Sequence, residues 1–244
     1  MKLYGKNPVL ERLKSNPKSI RKILIAQDHP ELSYIRLKAK KWNIPLFAIP
    51  KDRMYKLGQN LHAQGLLVEV EDFSYLPYDE LLDQAFDKNQ SLIFLDQLND
   101  PQNLGGIIRS LACLGGFGIV LPKHSSVEVT EAVLRVACGG DNYVSISKVS
   151  NLGNAIASAK QKGFSIAGTV VKDGQSLMDT AFNFPLALVV GSEQKGIRDI
   201  VKKHLNVEVT IPMMHARLSF NVAHAATILA YEITRQKKQN EKQK

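Results

Sequence analysis

Three short polar stretches, each following an apolar run, carry the residue types from which a binding or catalytic site can be built. The first reads NDPQNLGGIIR from Asn99 to Arg109 and offers Asn103, the paired Gly105 and Gly106, and Arg109. Asn103 stands where a side-chain oxygen can cap a starting helix, and the glycines let a ligand or another backbone come close. Arg109 follows about 1.7 helical turns later, so it reaches a ligand only if the first turn of the helix is itself near one. A plain N-cap for Asn103 and a surface ion pair for Arg109 are the alternatives. The second stretch, GSEQKG, sets Glu193 between Gly191 and Gly196, a turn whose backbone can hold an adenine or a ribose. Taken alone it is also compatible with an ordinary turn.

The third stretch runs from Ile211 to Val222, IPMMHARLSFNV. Ser219 is placed to start the last helix with Asn221 in its first turn. Val222 stands where a reciprocal capping box wants Glu or Gln, so the polar pair calls for another explanation, with capping by Ser219 alone as the alternative. Ala223, Ala225 and Ala226 let that helix approach a neighbour closely. The six histidines show no metal-ligand spacing, and no Ser-His-Asp arrangement or phosphate-binding Walker loop occurs, so no metal is expected. Gly-x-Gly-x-x-Gly is missing too, which argues against a dinucleotide enzyme. Cys113 and Cys138 sit in apolar helical patterns and read as core thiols.

The elements that must position these loops alternate. From Ser91 onward, apolar strand runs (LIFLDQL, FGIVLP, FSIAGTVV, LALVVG, VEVTIP) are interleaved with helical periods. This predicts an α/β fold with a mostly parallel sheet covered on both faces, with ligands outside the carboxyl ends of the strands. Residues 1–72 read as a separate small α/β unit, 73–90 as a connection that includes a short acidic helix, 91–236 as the main domain and 237–244 as a basic tail. The net charge of +9 is uneven: residues 1–72 carry +7, residues 73–234 carry −2 and the last ten carry +4. A basic module on a near-neutral one points to a polyanionic partner. With no apolar run of about 20 residues and no apolar core near the amino terminus, no membrane partner is expected and a cytoplasmic location is.

Taken in order, the three stretches resemble the SpoU (TrmH/RlmB) branch of the SPOUT RNA methyltransferases. The match lies in Asn103, Gly105 and Arg109, then Gly191, Glu193 and Gly196, then Ile211 to Met213 and Ser219 to Val222. YGKNPVLERL and HAQGLLVEV resemble the L30e-like RNA-binding domain of RlmB-type members. The resemblance implies a trefoil-knotted SPOUT domain, a homodimer, and S-adenosylmethionine as cofactor, held on backbone at Gly191, Ile211 and Phe220. It implies a reactive cluster of Asn103, Arg109, Glu193, Ser219 and Asn221, and methylation of a ribose 2′-hydroxyl. The expected substrate is a guanosine of large-subunit (23S) ribosomal RNA, with a tRNA target or a non-catalytic RNA-binding protein as alternatives. His215, Phe220 and Ala223 depart from the family pattern around the cofactor loop.

Overall fold

The computed structural model describes residues 1–58, 64–192, 195–215 and 218–242. The amino-terminal unit comprises β1 (Lys2–Tyr4), α1 (Lys6–Ser15), β2 (Ile20–Ala26), α2 (Leu32–Lys41), β3 (Leu46–Ile49), α3 (Lys51–Gly58) and β4 (Leu66–Val70). Its sheet runs in the order β1-β4-β2-β3, antiparallel except where β2 meets β3. Ile23 and Ile25 of β2 are buried in one cluster with Val9, Leu13, Ile35 and Ala39, residues of α1 and α2. Ala26 turns to the opposite face, against Met54 of α3. This alternation follows from the period of two along a strand.

Within 73–90, residues 78–87 form α4 (Tyr78–Asp87), whose Leu81, Leu82 and Ala85 are buried. They join the same cluster as Leu92, Phe94 and Val120, so this helix packs on the second sheet. The Tyr78 hydroxyl donates to the carbonyl of Ala155 at 2.6 Å, and burial pushes its phenol well above the ordinary range.

The main domain continues with β5 (Ser91–Leu95), α5 (Pro101–Leu114), β6 (Phe117–Pro122), α6 (Glu131–Ala137), β7 (Ser145–Val149), α7 (Leu152–Lys162), β8 (Ser165–Thr169) and β9 (Gln175–Ser176). It closes with β10 (Leu186–Val190), α8 (Asp199–Lys202), β11 (Val207–Thr210) and α9 (Val222–Lys242). The strands order as β7-β6-β5-β10-β8-β11-β9, and every pairing among the described residues is parallel. Every residue of β5, β6 and β10 is buried, as expected for strands covered on both faces. Helix α9 runs on through Lys242, so residues 237–242 are helical.

Two expectations are corrected by the helix ends. Helix α5 begins at Pro101 rather than near Leu104, and its cap is Asp100, whose carboxylate accepts from the Gln102 N–H at 2.8 Å. Proline costs nothing at the first helical position, where its missing N–H would have no partner. Asn103 thus lies inside the first turn. The cysteines are not core thiols: Cys113 is exposed, and Cys138 is half-buried at the left-handed end of α6, with φ 55°.

The two units share one continuous apolar core, in which Leu3, Val9 and Leu13 belong to the same cluster as Leu134, Ala137 and Ile146. A buried ion pair between Arg12 and Asp141 closes the seam, and the Tyr143 hydroxyl reaches Glu11 across it.

Candidate active site at the strand ends

Because β10, β8 and β11 are adjacent and parallel, their carboxyl ends open on one edge of the sheet, and the loops that follow them enclose a cavity of about 400 Å³. Gly191, Ile211, Ser219 and Phe220 all line it, although they come from two different stretches of the sequence. Apolar walls are supplied by Val190, Ile197, Val209 and Leu229, while Thr169, Asp173 and Glu208 add polar edges. That mixture and size suit a small molecule with an apolar body and polar ends.

The glycine turn is dictated by packing. A Cβ placed on Gly191 would lie 2.1 Å from the carbonyl carbon of Gly196 and 2.3 Å from the Ile197 nitrogen. Only glycine allows these two backbone segments to approach so closely. Ser192 and Gly196 exchange backbone hydrogen bonds of 3.2 and 2.9 Å, and Gly196 turns the chain at φ 66°. Glu193 lies outside the described residues.

The first and third stretches are coupled directly. Asn221 donates from Nδ2 to Oδ1 of the buried Asn103 at 2.9 Å, and its own Oδ1 accepts from the Ala223 N–H at 2.9 Å. Asn221 therefore caps α9, which starts at Val222 and not at Ser219. The glycine pair serves helix packing: a Cβ on Gly105 would meet Val136 of α6 at 2.5 Å, and one on Gly106 would meet the Ala223 side chain at 3.4 Å. Helices α5 and α9 are further joined by Thr227 and Ser110, whose hydroxyls lie 2.8 Å apart.

Of the expected cluster, Ser219 lines the cavity, Asn221 is bonded to Asn103, and Arg109 is exposed on α5; Asn103, Asn221 and Arg109 are not among the lining residues. Sequence reasoning missed a second arginine. Asp96, just past β5 and 1% exposed, accepts from the Arg198 backbone N–H at 3.0 Å and from its Nε at 2.8 Å, with Nη2 2.7 Å away. This charge-assisted fork ties the end of the glycine turn to the neighbouring strand. Among the described residues no group of His, Cys, Asp and Glu is arranged to hold a metal ion, and no helix is long and apolar enough to cross a membrane.

Comparison with known proteins agrees with this geometry. Residues 90–231 match the model of the SpoU rRNA Methylase family, and residues 2–76 match that for RNA 2′-O ribose methyltransferase substrate binding. The chain belongs to the SpoU rRNA methylase family. A Bacillus subtilis protein named as a TrmH family tRNA/rRNA methyltransferase, YacO, is 32% identical over 239 residues, covering 96% of this chain and 95% of its own. The AdoMet-bound rRNA methyltransferase of Sinorhizobium meliloti superimposes with a TM-score of 0.79 at 20% identity, over 96% of this chain and 86% of its own. A TrmH/SpoU tRNA modifying enzyme of A. aeolicus gives 0.55 at 23% identity, over 67% of this chain and 86% of its own. At such identities these two likenesses are of fold. As a SpoU family member the chain is an RNA methyltransferase that draws its methyl group from S-adenosylmethionine.

Proposed function

We propose that this SpoU methyltransferase acts on the ribose 2′-hydroxyl of a guanosine in large-subunit ribosomal RNA, as a cytoplasmic homodimer with a trefoil-knotted carboxyl-terminal segment. The observation that supports it most is the convergence of Gly191, Ile211, Ser219 and Phe220 on one cavity, with Asn221 linking that cavity's wall to Asn103. The choice of ribosomal RNA over tRNA rests on the amino-terminal unit, which matches a substrate-binding family and carries most of the positive charge. The rRNA enzyme of Sinorhizobium meliloti aligns over nearly the whole chain, whereas the tRNA enzyme of A. aeolicus aligns over 67% of it.

The cavity fits the cofactor on its size and on its pairing of apolar walls with polar edges. Backbone at Gly191, Ile211 and Phe220 would hold S-adenosylmethionine, which supplies an electrophilic methyl group when bound. Ser219 lines the cavity and Asn221 caps α9 next to it; with Asn103 and Glu193 they would form the reactive cluster. Most of the rate then comes from positioning the hydroxyl in line with the methyl group. Arg109 clamps the phosphate next to the target ribose and stabilises negative charge as it develops on the 2′ oxygen. A guanidinium is the most weakly acidic of the cationic side chains, so proton removal is a poor task for it.

Methyl transfer from labelled S-adenosylmethionine to purified ribosomal RNA and to tRNA, followed by mapping of the modified nucleotide, tests this reading. A 2′-O-methylguanosine in the large-subunit RNA is expected. Label on a base, or in tRNA alone, would overturn the substrate assignment. Calorimetry showing no heat with S-adenosylmethionine would favour a non-catalytic scaffold.

A further inference from the structure

The solvent side of α2 carries an unusual combination of rings and charge. Tyr34, Leu37 and Trp42 are 43%, 68% and 41% exposed. At about 100° per residue, Tyr34, Leu37, Lys38 and Lys41 fall within roughly 100° of arc, and the buried Ile35 and Ala39 point elsewhere. From Leu32 to Trp42 the chain has four basic residues, Arg36, Lys38, Lys40 and Lys41, and no acidic one. Lys38 Nζ lies 5.5 Å from the Tyr34 ring centroid and Lys41 Nζ 5.8 Å from that of Trp42. Lysines near a helix carboxyl end are favoured by the helix dipole, which accounts for the charges. It does not account for two aromatic rings and a leucine left in water beside them.

We infer that this face of α2 is a platform on which unpaired bases of the RNA substrate stack, with the lysines holding the flanking phosphates. The inference rests on the RNA methyltransferase reading and names the surface by which the amino-terminal unit grips RNA. Charge complementarity selects a polyanion. The exposed rings select one with accessible flat faces, which a single strand offers and a duplex hides. Tyr34 and Trp42 are separated by about 12 Å along the helix axis, room for several nucleotides at a rise of about 3.4 Å.

Trp42 is the only tryptophan in the chain and caps the carboxyl end of α2 beside this face, so its fluorescence reports on that end of the platform. The full-length protein is titrated with a labelled, unstructured oligoribonucleotide of about 12 nucleotides, within the span of known single-strand sites, and with the same strand annealed to its complement. The single strand should quench Trp42 along the same isotherm that RNA anisotropy reports, and the duplex should bind about tenfold more weakly. At exposed positions, Tyr34→Ala should weaken single-strand binding about fivefold or more, as expected for the loss of one stacked base, and Leu37→Glu should weaken it too by setting a negative charge among the lysines. They should raise KM for RNA while kcat and S-adenosylmethionine affinity stay unchanged. RNA binding by anisotropy without a change in Trp42 emission would overturn the platform, and so would no binding at all, a wild-type KM in Tyr34→Ala, or equal quenching by a poly-glutamate peptide. Methyl transfer without quenching removes the platform alone, and quenching without methyl transfer removes the enzymatic reading alone.

Discussion

Replacing Gly191 by alanine is the sharpest probe of how the cavity is built. The new Cβ would stand 2.1 Å from the Gly196 carbonyl carbon, against a normal carbon separation of about 3.5 Å or more, so the facing backbone must retreat by roughly 1.4 Å. No side-chain rotation relieves this overlap, because the obstructing atoms are main chain. The retreat stretches the 2.9 and 3.2 Å bonds between Ser192 and Gly196 beyond bonding range. Overpacking costs about 1–3 kcal/mol and the two lost hydrogen bonds about 1 each, which for a chain of this size lowers Tm by roughly 6 to 20 °C. Gly196→Ala is the control: its φ of 66° strains a side chain, but nothing lies within 4 Å of the added Cβ, so about 1–2 kcal/mol is expected. Calorimetry should show S-adenosylmethionine bound at least about tenfold more weakly by Gly191→Ala, and single-turnover methylation should fall about a hundredfold. Wild-type melting and affinity in Gly191→Ala would refute the packing argument, as would a larger effect from Gly196→Ala.

Other outcomes follow from the same geometry. Arg109→Ala removes an exposed side chain, so thermal unfolding should stay within about 0.5 kcal/mol of wild type while methylation falls by about a hundredfold or more; retained turnover would dismiss it from the reaction. Asp96→Asn leaves the Arg198 fork without its anion and should cost about 2–3 kcal/mol, read as a fall in Tm of roughly 4 to 12 °C, together with weaker cofactor binding. Burial pushes Lys237 down to about 8, so below that pH the folded chain carries a charge that it holds less favourably than the unfolded chain does. Between pH 8 and the ordinary lysine value of 10.5 the unfolded chain binds more protons, and stability rises with pH. Lys237→Met should therefore raise Tm most near pH 7, with the gain over wild type shrinking toward pH 10.5; a gain independent of pH would contradict this.

Much of the α/β architecture can be read from the apolar runs, because β5, β6 and β10 are buried on both faces and their sequences are correspondingly uniform. The elements that escape such reading are short. β1 has three residues and β9 two, too few to display a period, and both depend on a partner distant in sequence. Local chemistry misled at the helix starts. Asn103 is a good cap by type, but the Asp100-Pro101 pair, a stronger start signal, stands just before it. Ser219 likewise yields to Asn221 as the cap of α9. That Gly191, Ile211 and Phe220 belong together was implied by the family resemblance of the ordered motifs and not by their spacing, and all three line one cavity. The bond between Asp96 and Arg198, 102 residues apart, was not legible, because neither residue belongs to a pattern and only the fold brings them together.

The shared core and the Arg12–Asp141 pair at the seam also bear on how a target is chosen. Halves joined through common packing cannot pivot freely, so the separation between the anchoring unit and the chemical centre is set like the jaws of a fixed gauge. An RNA that offers the right nucleotide but places its handhold at another distance would fail to engage both at once, and shape would then discriminate where local sequence does not.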